Sequence, residues 1–283
     1  MTAPDTAALR LSGTKLTADL DAAITGITVQ SSEGSVANLS VTSADPAGVL
    51  MKSAFATTGT TVTWYDDTWQ VAGLTTRWGS DNTIEHSIDC RSSLARQLRK
   101  RYRASVEKKV SPSEWVARRV RSAGGVAVCQ PSSRQATIAQ TSGAQRQSEL
   151  DVIADLASQA EWSWVEWGGR LWFGSRHWAW SGNASGQRLW PVTRASNPAS
   201  DHIEAEISQD DDDTANRASG TVTVPYGYGV RIRPWDRLQL SGYGSRDGIY
   251  LVDQVSIEAD LVRPIQLGIS RPRPPAKKSG SAS

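Results

Sequence analysis

The chain has 283 residues, 39% hydrophobic and 21% charged, enough for a buried core and, at roughly 100–200 residues per domain, for about two domains. No apolar run reaches the ~18 residues of a membrane-crossing helix, and Met1-Thr2-Ala3-Pro4-Asp5 shows no basic stretch followed by an apolar one, so no secretory leader is expected. The 31 basic and 29 acidic residues nearly cancel, while 23 Gly and 12 Pro dispersed through Ser/Thr-rich sequence exclude a helical bundle or a disordered chain and point to short strands and turns.

Strands are predicted at 8–11, 24–30, 37–41, 60–64, 69–77 and 83–89, with Tyr65-Asp66-Asp67-Thr68 as a hairpin loop. Composition changes at residue 91: residues 91–121 carry eleven Lys or Arg against Glu107 and Glu114. There Leu94, Leu98, Tyr102 and Val106 recur every fourth residue, which predicts an amphipathic helix with Arg96, Arg99, Lys100 and Arg103 mostly on its other side. Ser111, Pro112 and Glu114 form a helix start, and Gly124-Gly125 stops that helix after Ala123. Arg119 falls among its apolar residues Trp115, Val116, Val120 and Ala123, so its guanidinium either snorkels or pairs at a contact. A strand at 126–129, a loop over 130–147 and a helix capped by Ser148, with Asp151 at its third position, come next. Strands at 162–167 and 170–174 flank a Gly168-Gly169 hairpin turn.

Residues 175–200 are punctuated by Gly, Ser and Asn. Residues 201–213 hold seven acids and no Lys or Arg, with a strand expected at 201–207 and a solvated run at Asp210–Asp213. Strands are predicted at 220–224, 229–232, 237–240, 248–257 and 262–269. The last thirteen residues form a basic, Pro-rich tail, so a chain ended at Ser270 is expected to melt almost as the whole chain does.

No motif places a catalytic group. His86, His177 and His202 lack metal-ligand spacing, and Cys90 and Cys129 stand apart, as buried thiols rather than a disulfide. Asp210–Asp213 lacks the alternating ligands of a calcium loop. Glu161 and Glu166 beside tryptophans are a faint glycosidase signal. The basic segment reads as a solvated face, a protein contact or a nucleic-acid surface. The unusual count is 12 Trp against two Phe, seven of them from Trp162 to Trp190. Such rings suit protein interfaces and sugar platforms as well as cores.

Leu150-Asp151-Val152-Ile153-Ala154-Asp155-Leu156-Ala157, then Glu161-Trp162-Ser163-Trp164 and Gly168-Gly169-Arg170-Leu171-Trp172-Phe173, with Gly248-Ile249-Tyr250-Leu251-Val252 late in the chain, resemble the late-control D family of bacteriophage tail hub proteins over roughly residues 8–270. The chain departs from that pattern at Pro234-Trp235-Asp236, where the family usually has Pro-Gly. The resemblance implies a mainly β fold with an α/β insert and two tail-tube-like barrels: a first barrel at 1–90, the insert with basic helices and hairpin at 91–175, a second barrel at 176–270 and a flexible basic tail at 271–283. It implies a structural, non-enzymatic hub at a tail tip or baseplate, without cofactor or metal. That hub would be a homotrimer in the virion tail, assembled in the host cytoplasm without membrane insertion. Its partners would be a tube or distal tail protein, a spike or fibre and a tape measure, with DNA passing through the lumen unbound. Arg96, Arg99, Lys100, Arg103, Arg119, Trp178, Trp180 and Trp190 are the expected interface residues. The alternative is a Trp-rich carbohydrate-binding or cell-wall-binding tail component, which needs exposed, coplanar rings.

Overall fold

The computed structural model describes residues 6–45, 47–79, 83–102, 104–141, 146–194, 204–208, 216–259 and 263–274. The opening segment folds as β1 (Leu9–Leu11), β2 (Thr14–Lys15), a short helix α1 (Ala18–Ala23), β3 (Ile24–Ser32), β4 (Asn38–Ala44), β5 (Thr61–Trp64), β6 (Asp67–Trp78) and β7 (Ile84–Arg91). In β3 the buried residues are Ile24, Ile27, Val29 and Ser31. The three-residue step from Ile24 to Ile27 is allowed by a register shift between Ile24 and Gly26 against β4, because a bulge returns the next apolar residue to the core face. The β5–β6 turn is tighter than expected: Trp64 pairs with Asp67 and Thr63 with Thr68, leaving Tyr65 and Asp66 as the loop.

The middle of the chain is a smaller layer with its own core. It comprises α2 (Ser93–Lys100), β8 (Ser105–Val110), α3 (Pro112–Ser122), β9 (Val126–Cys129), β10 (Ala136–Gln140), α4 (Glu149–Ala160), β11 (Ser163–Trp167) and β12 (Arg170–Gly174). The basic helix is shorter than its apolar spacing predicts. It ends at Lys100, and residues 105–110 instead pair with β10, so Val106 is 64% exposed. Pairing with a distant strand outweighs a four-residue spacing that β-branched Val106 supports only weakly as helix. That pairing also places a strand inside the stretch read as a loop. Pro112 opens α3 at its first turn, but the Ser111 hydroxyl donates to the Ser132 carbonyl (3.1 Å) and does not cap the helix. Gly124, at φ +82°, ends it in the left-handed conformation glycine adopts without strain. At α4 the cap is reciprocal: the Ser148 hydroxyl accepts from Asp151 N–H (3.2 Å), and the Asp151 carboxylate accepts from Ser148 N–H (2.8 Å). Leu94, Leu98, Trp115, Val116, Ile153 and Phe173 pack together beneath these helices.

The closing segment holds α5 (Arg176–Trp180), β13 (Leu189–Thr193), β14 (Glu204–Ser208), β15 (Asn216–Val224), α6 (Tyr226–Gly229), β16 (Arg237–Ser241), β17 (Gly248–Glu258) and β18 (Ile265–Pro272). Residues 229–232, expected as a strand, are the end of a helical turn. Val230 N–H bonds to Tyr226 O and Ile232 N–H to Gly229 O. Pro225 and Pro234 bracket the segment and interrupt donation to any ladder, and Val230 and Ile232 reach the core from the turn itself.

The opening and closing segments share one curled sheet in the order β14-β15-β18-β17-β3-β4-β7-β6-β5-β1-β2, with β16 on β17 and β13 on β16. The joint is antiparallel, from Gln254 opposite Ser32 to Glu258 opposite Thr28. Their apolar residues form one continuous core, in which Leu39, Val71 and Ile88 belong with Leu238, Leu251 and Leu267. Among the described residues neither β14 nor β2 has a second neighbour.

β18 runs two residues into the expected tail. Arg271 donates to the Asp247 carbonyl (2.9 Å) and lies 4.6 Å from the centre of the Tyr250 ring. A chain ended at Ser270 loses both contacts. It should melt several degrees below a chain ended at Pro274, since a shift of about 1 kcal/mol moves Tm by roughly 2–4 °C at this size. Equal melting curves would return Arg271 to the dispensable tail.

Candidate functional site

The residues that could have made a hydrolytic centre are dispersed. Glu161 is the exposed left-handed residue after α4. Glu166 is wholly buried on β11. Its Oε1 accepts from the Ser92 hydroxyl (2.6 Å) and from Gly169 N–H (2.9 Å), and burial, against those two bonds, pushes its carboxyl up to about 7. Its backbone joins the β3–β4 connection, with Ala37 N–H bonding to Glu166 O (3.0 Å). Glu166 thus fastens the middle layer to the main sheet. His86 is buried between Thr76 (2.9 Å) and Asp45 (3.7 Å), and the His177 ring leans on Trp180. His202 lies outside the described residues. Burial pushes the Cys90 and Cys129 thiols up to about 12, far from the thiolate a nucleophile needs. Among the described residues no three His, Cys, Asp or Glu side chains gather as metal ligands.

The expected interface residues divide into two groups. Arg99 and Lys100 are exposed on α2. Arg96, on the same helix, turns inward and donates to the Gln70 side chain (2.8 Å), tying α2 to β6. Arg103 lies outside the described residues. Arg119 is an internal cation: it reaches Glu107 (2.8 Å) and Glu149 (3.4 Å) and lies 5.0 Å from the Trp115 ring centre. Burial raises the Glu149 carboxyl above its ordinary range despite Arg119 and Arg101 beside it.

Trp178, Trp180 and Trp190 are half-buried, and each is engaged within the chain. Trp178 meets Trp235 edge to face, Trp180 donates to the Ile249 carbonyl (2.8 Å), and Trp190 donates to Asp236 (2.9 Å) while crossing Tyr228. Trp164, Trp167 and Trp172 are buried. None of the seven rings from Trp162 to Trp190 is exposed, so they present no open sugar platform. The exposed tryptophan is Trp78, 76% accessible at the end of β6.

A junction that sequence reading missed lies where the three parts of the chain meet. The Arg233 guanidinium pairs with Asp67 (2.5 Å) and lies over Trp167 (4.8 Å). Asp236 accepts from the backbone N–H groups of Arg188 (2.9 Å) and Arg233 (3.1 Å) and from Trp190. Burial lowers the Arg233 guanidinium and raises both carboxyls, so desolvation outweighs pairing at this joint. Trp235, fully buried, stands at φ +71° between Pro234 and Asp236. Asp67 within a presumed loop and the Pro234-Trp235-Asp236 departure were the available signals. Nothing local told that these two sites meet. A second tie runs through Arg176, which reaches Glu33 (3.1 Å) and Asp253 (2.7 Å). Burial, opposed by Arg176, pushes Asp253 up to about 6.

No family model matches the chain, and no curated protein matches it. Solved structures do, and the class they define is that of bacteriophage tail and baseplate proteins, whose fold this chain has. The 43 kDa tail protein of prophage MuSo2 from Shewanella oneidensis superposes with a TM-score of 0.59 at 11% identity, over 93% of this chain and 95% of that one. A tail protein from Neisseria meningitidis gives 0.58 at 9% identity, over 94% and 95%. An Escherichia coli component of the type VI secretion system, which exhibits structural similarity to bacteriophage tail proteins, gives 0.61 at 11% identity, over 94% and 77%.

Proposed function

We propose that the chain is a structural hub of a phage tail tip or baseplate. Three copies close a ring that joins the tail tube to a spike or fibre and leaves a lumen through which DNA passes without specific binding. The observation that carries this reading is the shared fold over nearly the whole of both chains with a prophage tail protein and a second tail protein. The ends of the curled sheet support it: among the described residues neither β2 nor β14 has a second strand neighbour, so neighbouring subunits can extend the sheet there and each copy contributes two barrel-like segments. The role is structural rather than enzymatic, in the virion tail after assembly in the host cytoplasm, with tube or distal tail, spike or fibre and tape-measure proteins as neighbours. The sugar-binding alternative has no support from the buried and half-buried tryptophans.

Light scattering of the purified chain at micromolar concentration should give three times the monomer mass, and a persistent monomer would count against the ring. Among the described residues of the basic face, Arg99 and Lys100 are the exposed ones available to an acidic neighbour. Reversing both to Glu should leave the isolated chain folded and weaken assembly, more at low salt, where screening is least. Unchanged assembly at low salt would make this face a solvated surface.

A further inference from the structure

The small sheet β11-β12-β9 ends at β9, and among the described residues no strand pairs with its outer side. β9 runs parallel to β12, with Val126 N–H bonded to Gly169 O (3.0 Å) and Gln130 N–H to Phe173 O (2.8 Å). In such a ladder one residue gives both its N–H and its C=O to the same neighbour, and the next residue turns both the other way. Ala127 and Cys129 therefore direct their backbone groups away from β12, where no described group receives them. An open groove of about 940 Å³ lies along this edge. α3 lines it through Ser113, Glu114, Ala117 and Arg121, and Trp178 and Asn183 line it as well. Arg121 is exposed and has no acid partner among the described residues, whereas its neighbour Arg118 is held by Glu107 (2.5 Å).

We propose that this groove binds an extended peptide segment of another protein, which adds as a fourth strand beside β9 and sets a carboxylate against Arg121. Unpaired N–H and C=O groups supply affinity that any extended backbone can satisfy. The apolar Ala117, Val128 and Trp178 receive alternate side chains, and Arg121 sets the preference for acid. The edge is four residues long, and β9 itself, Val126–Cys129, carries no acid, so the β9 of a second copy would not supply the carboxylate that Arg121 calls for.

The test is selection of random twelve-residue displayed peptides on the full chain, with counter-selection on Ala127→Pro. This substitution removes an outward N–H and leaves the ladder bonds of Val126 and Gln130 in place, as proline on an edge strand allows. Enriched peptides should alternate apolar residues with an Asp or Glu. Their affinity should fall about tenfold or more on Ala127→Pro and on Arg121→Glu, a loss of roughly 1.4 kcal/mol or more. Should the proline variant fold poorly, amide exchange on the unaltered chain decides: added peptide should slow Ala127 and Cys129 while leaving Val126 and Val128 unchanged. Failure to enrich any peptide, equal binding to Arg121→Glu, or a change of oligomeric state with Ala127→Pro would each overturn the proposal, the last by assigning the edge to a second copy.

Discussion

Replacing Arg119 by alanine should cost about 3–5 kcal/mol of folding stability, the usual consequence of leaving a buried charge without its partner. The carboxylate left behind is Glu149, whose side chain is 3% exposed and whose remaining cation, Arg101, stands 4.0 Å away. Arg101 is itself committed to the Ser122 hydroxyl and carbonyl, each at 2.7 Å. Glu107, the other acid Arg119 reaches, keeps Arg118 and contributes less to the loss. Urea unfolding near neutral pH measures the effect through the transition midpoint. Acid should narrow the deficit. Burial already raises the Glu149 carboxyl, Arg119 and Arg101 oppose that rise, and removing Arg119 raises it further, so Glu149 in the variant takes up a proton earlier as pH falls. Glu149→Gln in the Arg119→Ala background should recover part of the loss. A deficit below about 1 kcal/mol would mean a solvated pair and would restore Arg119 as a candidate contact for another protein.

Arg119 also marks how far the sequence could be read. A cation inside an apolar helical stripe is visible from α3 alone, and so is the need for a partner, but Glu149 lies on α4 and no local pattern names it. The same division runs through the fold. β9, the β11–β12 hairpin and the capping box at Ser148 depend on neighbouring residues, and their positions follow from alternation, paired glycines and cap spacing. The four-residue spacing predicts too long a basic helix because it cannot register that β10 takes residues 105–110 as a partner. The β17–β3 joint pairs strands more than 200 residues apart in sequence, and one continuous sheet emerged where two separate strand-rich halves were legible. The tryptophans were conspicuous as a composition, yet whether a ring is buried depends on the opposing surface. The junction joins Arg233 and Asp236 to Trp167 and Trp190 of the dense run, a meeting that no local spacing shows.

Glu166→Gln should make the protein more stable at pH 8 and leave it nearly unchanged near pH 4. Burial lifts the native carboxyl from the ordinary 4.5 to about 7, so between those values the native state holds a proton that the unfolded chain releases. Stability therefore falls as pH rises through this window. Fully developed above pH 7, the shift corresponds to about 3 kcal/mol, at roughly 1.4 kcal/mol per pH unit. Glutamine keeps an oxygen for the Ser92 hydroxyl and for Gly169 N–H and carries no charge, so the variant lacks this term. Asp253, also raised by burial, contributes a slope of the same sign in both proteins and cancels in their difference. The measurement is the difference in unfolding free energy between the two chains at intervals from pH 4 to pH 8. It should grow with pH in favour of glutamine and level off above about pH 7. Glu166→Ala supplies the contrast: it removes the charge but strands the Ser92 hydroxyl and Gly169 N–H and opens a cavity, so it should lose stability at every pH, by about 2 kcal/mol or more. A flat difference for glutamine would mean that Glu166 stays ionised in the fold, and that its two hydrogen bonds outweigh its burial.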